Sequence, residues 1–206
     1  MRRFDVILAA AGRGTRFGGD KLAELIDGRS VLARSVAAFA DRPDVGRVIV
    51  ATADGHRPPH LPPHDKLHTV PGGRERADTV AAALAVSDSE WVAVHDAARP
   101  LVSQPLIDRC FAAGTCVPCT PITGTVKRGR GTVEATLPRD DLWQAQTPQC
   151  FRRSDWLAAD RAGATDDAVV LERAGVPVQI VPGEARNLKI TTADDLTLAR
   201  ALADVT

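Results

Sequence analysis

Strand-like apolar runs alternate with helix-like segments along most of this 206-residue chain, and this alternation constrains the fold most strongly. The strand-like runs are Asp5–Ala10, Gly46–Ala53, Leu67–Val70, Trp91–His95, Thr115–Pro121 and Val178–Val181. The helix-like segments are Ser30–Ala40, Arg74–Leu84, Gln104–Ala113, Asp166–Ala174 and Ala193–Ala203, with Ser30 as the N-cap of the first. Strands separated by helices pair in parallel, because the crossover helix returns the chain to the same edge. We therefore predict an α/β fold with a mostly parallel sheet.

The region Ile122–Thr147 breaks this alternation. Its Gly129-Arg130-Gly131 turn lies between two extended runs, a pattern typical of a β-hairpin. A two-stranded hairpin is only marginally stable by itself, so we expect it to pack on another surface, most simply a second subunit. The chain is thus predicted to be a single domain over residues 1–206 with a β-arm at about 122–147.

Charge and hydropathy exclude several classes of protein. Lys plus Arg and Asp plus Glu each number 26, so the chain is not expected to bind nucleic acid or a membrane surface. No apolar run reaches the roughly 18 residues that span a bilayer. The first residues lack the apolar core of a signal peptide, which makes the cytoplasm the expected location.

A glycine-rich segment follows the first strand. It has Gly at positions 12, 14, 18 and 19, together with Arg13, Arg16 and Lys21. Glycines let backbone N–H groups approach phosphate oxygens, and the basic side chains add charge there. Neither common phosphate loop fits, since Phe17 replaces the third glycine of one and Asp20 replaces the lysine of the other. A third kind of nucleotide loop and a plain glycine-rich turn both remain open.

Two further patterns have structural explanations. The motif Cys116-Val117-Pro118-Cys119 lies in a strand-like run with no second pair at zinc spacing, so buried free thiols are expected. Histidines recur every four residues from His56 to His68, but prolines interrupt the run. Because proline does not continue a helix, we predict a proline-rich surface loop.

Two segments that follow strands carry candidate binding residues. Asp96 comes directly after a buried strand, where it could hold Mg²⁺ or accept from a substrate hydroxyl, and Arg99 could bind a phosphate. Gly72 and Gly73 open a helix whose N-terminus favours anions. Taken singly, each segment could also be a structural ion pair or a plain helix cap.

Taken together, these segments resemble the 2-C-methyl-D-erythritol 4-phosphate cytidylyltransferase family from Ile7 nearly to the C-terminus. The matching motifs are Ala10-Ala11-Gly12-x-Gly14 with Arg16 and Lys21, Gly72-Gly73-x-x-Arg76-x-x-Thr79, His95-Asp96-Ala97-Ala98-Arg99-Pro100, Leu142-Trp143-x-Ala145-x-Thr147-Pro148-Gln149, and Asn187-x-Lys189-Ile190-Thr191.

The resemblance implies a Rossmann-like domain with helices on both faces of the sheet, and a homodimer joined through a projecting β-hairpin. It implies transfer of CMP from CTP to 2-C-methyl-D-erythritol 4-phosphate in non-mevalonate isoprenoid biosynthesis, with release of pyrophosphate and with Mg²⁺ held mainly by the CTP phosphates. The catalytic residues that the resemblance implies are Arg16, Lys21, Arg139 and Lys189. Those lining the nucleotide are Ala10, Ala11, Gly12, Gly14, Thr15, Gly73, Arg76, Thr79 and Ala97. Those binding the polyol phosphate are Asp96, Arg99, Thr125, Arg139 and Lys189, the two arm residues coming from the partner subunit.

Two alternatives stay open at the level of sequence. One is a sister enzyme that uses ribitol 5-phosphate or a molybdopterin. It would differ in the substrate half of the site, at Arg139 and Lys189, and assays with both polyol phosphates would distinguish the two enzymes. The other is a catalytically dead nucleotide-binding or regulatory module. The intact residues Arg16, Lys21, Asp96 and Lys189 argue against it.

Overall fold

The computed structural model describes residues 2–12 and 17–204. The strands are β1 (Phe4–Ala9), β2 (Leu25–Ile26), β3 (Arg29–Ser30), β4 (Val45–Thr52), β5 (Leu67–Pro71), β6 (Trp91–Asp96), β7 (Cys116–Pro121), β8 (Val126–Arg130), β9 (Thr132–Leu137), β10 (Trp143–Ala145), β11 (Gln149–Arg152) and β12 (Gln179–Pro182). The helices are α1 (Val31–Ala40), α2 (Arg76–Ala85), α3 (Gln104–Ala113), α4 (Arg153–Ala158), α5 (Asp167–Arg173) and α6 (Ala193–Ala203).

One eight-stranded sheet forms the centre of the molecule. Its strands follow the order β10-β7-β11-β6-β1-β4-β5, and β12 pairs with β7. The pairs among β6, β1, β4 and β5 are parallel, as is β12 with β7. β10 and β11 run antiparallel to their neighbours. The mostly parallel sheet is therefore confirmed, with an antiparallel insertion that the alternating pattern did not predict.

The two faces of the sheet are covered by different helices. In β1, Phe4, Val6 and Leu8 point to a cluster that includes residues of α1 and α3. Ile7 points the other way, to a cluster that includes residues of α2, α4 and α5. Successive side chains of a strand alternate between faces, so an all-apolar strand needs cover on both sides. Helices on both faces are thus confirmed.

Several helix boundaries agree with the sequence prediction. α3 and α6 have the predicted bounds, and Ser30 caps α1 by accepting a hydrogen bond from the N–H of Ala33 at 3.1 Å. α2 begins two residues later than predicted, because Glu75 stays extended as its N-cap. The N–H of Glu75 donates to the Asp78 carboxylate at 3.3 Å.

β8 and β9 form the predicted hairpin, which we call the β-arm. They pair antiparallel with each other as a separate two-stranded sheet, and Gly131 makes the turn at a φ of +79°. A positive φ suits glycine because it lacks a Cβ. The hairpin prediction is therefore confirmed. No residue from 121 to 145 is buried, so this chain's own core does not cover the β-arm.

The remaining sequence expectations concern cysteines, histidines and membranes. All four cysteines are free and buried, as predicted. The prolines and histidines between β4 and β5 form a loop without helix or strand. Within residues 2–12 and 17–204, no helix is long and apolar enough to cross a membrane.

Candidate active site

The carboxyl ends of β4, β1 and β6 meet at one edge of the sheet. Ala9, at the end of β1, pairs with Ala51 of β4 on one side and with Asp96 of β6 on the other. The N–H of Ala10 continues the ladder by donating to the Ala51 carbonyl at 2.9 Å. Ligands of parallel α/β sheets bind beyond such ends. The segments that leave β1 and β6 consequently face the same space.

The segment before α2 packs closely against the one after β1. A Cβ on Gly72 would lie 2.3 Å from the Cβ of Ala11, and one on Gly73 would lie 2.2 Å from the Cβ of Asp78. Both positions thus require glycine for packing as well as for any close approach of a ligand. The Thr79 hydroxyl accepts a hydrogen bond from the Gly73 N–H at 3.0 Å, which holds this segment against its helix.

Asp96 is the centre of a cluster of cations. Its Oδ2 lies 3.0 Å from the Lys189 ammonium and 3.3 Å from Nε of Arg99. Burial alone would raise the pKa of the Asp96 carboxyl, but Lys189, Arg76 and Arg99 outweigh it and hold that pKa well below its ordinary value. Asp96 is therefore an ionised hydrogen-bond acceptor at the floor of the site.

Residues 187–191 connect the two halves of the site. The carbonyl of Asn187 accepts a hydrogen bond from Arg99 at 2.7 Å, and the carbonyl of Ile190 accepts one from the Lys21 ammonium at 2.8 Å. This segment, which carries Lys189, thereby contacts both the glycine-rich segment and the residues after β6. The predicted catalytic lysines are brought together across nearly the whole length of the chain.

His95 fixes the backbone on both sides of Asp96. The N–H of Asp96 donates to the Thr147 hydroxyl at 3.0 Å, that oxygen lies 3.0 Å from His95 Nδ1, and His95 Nε2 lies 3.1 Å from the Arg99 carbonyl. The Arg99 carbonyl can only accept, so Nε2 carries the ring proton. In the neutral ring Nδ1 is then an acceptor, and the Thr147 hydroxyl donates to it. Burial lowers the pKa of His95 to about 4, which keeps the ring neutral at neutral pH.

Arg76 reaches the site from the first turn of α2. Its guanidinium lies 2.7 Å from Oδ2 of Asp167, whose side chain is only 1% exposed. Trp156 donates its indole N–H to the other carboxylate oxygen at 3.1 Å. Burial raises the pKa of the Asp167 carboxyl above its ordinary value, and the neighbouring Arg76 guanidinium opposes that rise.

Most predicted residues in the described ranges line a single cleft of about 250 Å³. Those that line it are Ala10, Ala11, Gly12, Lys21, Gly73, Arg76, Thr79, Asp96, Ala97 and Lys189. Arg99 is buried beneath it, paired with Asp96. Gly14, Thr15 and Arg16 lie outside the described residues. Thr125 and Arg139 lie at the base of the β-arm, both exposed, and do not line the cleft of their own chain.

Sequence reasoning missed several residues that organise the cleft. His95 and Thr147 belong to the motifs quoted above, but these motifs indicate no role for them, and the sequence pattern places Asp167 only within a helix. The sequence contained two local signals: a histidine within an otherwise mostly apolar strand, and two adjacent acidic residues at the start of a helix. Their partners are distant in sequence, so the signal could not name them.

The described residues offer no ready-made metal cage. Among them, no group of three or more His, Cys, Asp or Glu side chains could hold a metal ion. The Asp96 carboxylate, the sequence-based candidate ligand, is already paired with Lys189 and Arg99. Mg²⁺ prefers several oxygen ligands in octahedral geometry, which these residues do not supply by themselves.

The family of the chain follows from comparison with known proteins. The family model described as IspD, 2-C-methyl-D-erythritol 4-phosphate cytidylyltransferase, matches residues 4–204. This chain belongs to that cytidylyltransferase family. The enzymes of this family are nucleotidyltransferases, so the chain is a nucleotidyltransferase as well.

Individual relatives agree with the family assignment. The 2-C-methyl-D-erythritol 4-phosphate cytidylyltransferase of Deinococcus radiodurans is 42% identical, with 97% of this chain and 89% of that protein covered. The bifunctional enzyme IspD/IspF of Rhodospirillum rubrum is also 42% identical; the match covers 98% of this chain but 57% of that protein. The crystal structure of the cytidylyltransferase from Thermus thermophilus has a TM-score of 0.84 at 34% identity, covering 99% of this chain and 100% of that one.

Proposed function

We propose that this protein transfers CMP from CTP to 2-C-methyl-D-erythritol 4-phosphate and releases pyrophosphate, as one nucleotidyltransferase domain in the cytoplasm. The observation that carries the proposal is the ion pair of Lys189 with Asp96, in the same cleft as Lys21 and Arg76. Four cations, counting Arg99, surround two buried carboxylates, Asp96 and Asp167. Such an excess of positive charge suits a reaction between two phosphate compounds.

The nucleotide would lie along the segments after β1 and before α2. Small residues line this part of the cleft, which would let phosphate oxygens approach the backbone closely. Lys21, with Arg16, would stabilise the charge that develops on the triphosphate. The remaining nucleotide contacts would come from Ala10, Ala11, Gly12, Gly14, Thr15, Gly73, Arg76, Thr79 and Ala97.

The polyol phosphate would lie at the Asp96 end of the cleft. The ionised Asp96 accepts from a hydroxyl, while Lys189, whose side chain is 43% exposed, attracts the phosphate. Arg99 would act together with them. Thr125 and Arg139 would complete this half from the arm of a second subunit, because they do not line the cleft of their own chain.

The chemistry needs positioning more than proton transfer. A phosphate monoester has a second pKa of about 6, so the substrate is already a nucleophile near pH 7. No general base is required, and the positioned cations hold two polyanions together. Mg²⁺ would enter bound to the CTP phosphates, where it supplies charge neutralisation, because the described side chains form no cage for it.

A coupled assay for pyrophosphate tests the proposal. With CTP and Mg²⁺, release should depend on 2-C-methyl-D-erythritol 4-phosphate and be much slower with ribitol 5-phosphate. Faster turnover with ribitol 5-phosphate would instead identify a sister enzyme. CTP binding without turnover on either polyol would identify a nucleotide-binding module.

The placement of the two substrates can be tested at Lys189. Lys189→Ala should raise the KM for the polyol phosphate and lower turnover, while calorimetry shows CTP binding largely intact. Asp96→Asn should likewise lower activity and still bind CTP. If folded Lys189→Ala lost CTP binding and kept its KM for the polyol phosphate, the proposed positions of the two substrates in the cleft would be wrong.

A further inference from the structure

Asp167 and Arg76 form an ion pair with one end buried and one end in the cleft. The Asp167 side chain is 1% exposed, and that of Arg76 is 24% exposed and lines the cleft. The pair joins the first turn of α5 to the first turn of α2. The buried Asp167 carboxylate can therefore fix the position of the Arg76 side chain in the cleft.

The buried end of this pair is held from several directions. The two carboxylate oxygens of Asp167 have different partners, since Trp156 donates to Oδ1 at 3.1 Å and Arg76 contacts Oδ2 at 2.7 Å. The side-chain oxygen of Gln149 accepts from the N–H groups of Asp167 and Ala168 at 2.9 and 2.8 Å. Neither the backbone nor the carboxylate of Asp167 can turn without breaking one of these bonds.

We propose that Asp167 is a positioning residue for nucleotide binding, which holds the Arg76 guanidinium against the bound nucleoside triphosphate. A free arginine side chain loses rotamer entropy when it binds a ligand. The anchored side chain has already lost much of that freedom on folding, so binding is favoured by preorganisation. The inference rests on the proposed use of CTP.

The test compares Asp167→Asn with Asp166→Asn in the full-length chain. Asp167→Asn keeps the size of the side chain and an acceptor for Trp156 but removes the charge that holds Arg76. CTP should bind about ten-fold more weakly by calorimetry, with a matching rise in the KM for CTP and little change in the KM for the polyol phosphate. Asp166 caps the same helix and makes no ion pair with Arg76, so its variant should bind CTP within about two-fold of wild type.

A double-mutant cycle separates positioning from a structural role. If Asp167 acts through Arg76, then Arg76→Ala with Asp167→Asn should bind CTP as Arg76→Ala does alone. The double variant should also melt at a higher temperature than Arg76→Ala, because the latter leaves a buried charge unpaired. Trp156→Phe, which removes the N–H but keeps most of the packing, should weaken CTP binding about three-fold and provides the test if Asp167→Asn does not fold.

The inference is wrong if folded Asp167→Asn binds CTP as tightly as wild type does. It is also wrong if the double variant binds CTP more weakly than Arg76→Ala alone. If Asp167→Asn does not fold, unchanged CTP affinity in Trp156→Phe would overturn it. The proposed function fails separately, if wild type binds no CTP. In that case the same double-mutant cycle is measured with whichever of UTP, ATP or GTP the wild type binds. A chain that binds none of these nucleotides would contradict both the proposed function and the role of Asp167.

Discussion

The floor of the cleft and the β-arm contain candidate substrate residues in opposite settings. Asp96 and Arg99 are each 9% exposed and are held by partners from segments far away in the sequence. On the arm, Val133 is 66% exposed, and Arg139 donates to the carbonyl of Thr123, a near neighbour in the sequence. One setting is built by the core of the chain, and the other has no core beneath it.

This difference shows which part of the site one chain organises alone. Burial and ion pairing fix the cleft residues before any ligand binds. The arm places its residues by local hairpin geometry only, and its exposed apolar side chains obtain no cover from residues of the described ranges. A second subunit would supply that cover, which is the physical reason for the dimer proposed above.

The difference between the cleft and the β-arm predicts that the largest loss of turnover comes from substituting Lys21, a cleft residue. Lys21→Ala should lower kcat by about 10²–10³-fold, the usual loss for one contact made to developing charge in a transition state. Steady-state kinetics with saturating CTP measures this, and Arg16→Ala should behave similarly. Arg29→Ala, at the exposed first position of β3, is the matched control and should stay within about two-fold. Near-normal turnover of both Lys21→Ala and Arg16→Ala would contradict the assignment.

The next largest effect concerns the pH dependence of the cleft floor. The pKa of His95 is about 4 in the folded chain, against about 6.5 when unfolded, so the unfolded chain binds more protons between these values. The free energy of unfolding should therefore fall as pH is lowered through this window, by about 2 kcal/mol from this group between pH 7 and pH 5.

Urea titrations at the two pH values measure that slope. Asp96 has a lowered pKa, so its contribution is lost only below its ordinary value and does not enter this window. His95→Gln removes the titrating ring and should flatten the dependence even if it is less stable at pH 7. An unchanged slope in this variant would show that other groups cause it.

A mixture of two impaired variants tests whether the arm acts on a neighbouring site. Arg139→Ala and Lys21→Ala each damage a different half of the proposed shared site. In an equal mixture, half of the dimers are mixed and each has one intact site, so activity should return to about a quarter of wild type. Each variant mixed with itself is the control. No rescue after demonstrated subunit exchange would contradict a shared site.

The smallest effect on the chain itself is expected at Val133. Val133→Ser removes apolar surface that is exposed in the single chain, so its unfolding free energy should change by less than about 0.5 kcal/mol. Sedimentation should nevertheless show weaker dimerisation. Val86→Ser, at a 42% exposed position outside the arm, is the control and should leave association unchanged. Equal association of both variants would place the dimer contact elsewhere.

Local pattern in the sequence determined much of the architecture. The bounds of α3 and α6, the Ser30 cap and the Gly131 turn agree with the structure because each depends on neighbours within a few residues. β10, β11 and α4 were not predicted, since they are short. They also lie within or directly after the region predicted as the arm, where the alternation of apolar strands and helices is interrupted.

Only the tertiary structure decided which charges meet. The family resemblance implied that Asp96 and Lys189 bind the same substrate, but the direct ion pair between them depends on how residues 187–191 pack against the end of β6. The contact of Arg76 with Asp167 likewise joins two helix starts about 90 residues apart. Periodicity reports the environment of one segment, whereas the strength of an ion pair depends on distance and burial, which exist only once distant segments have packed together.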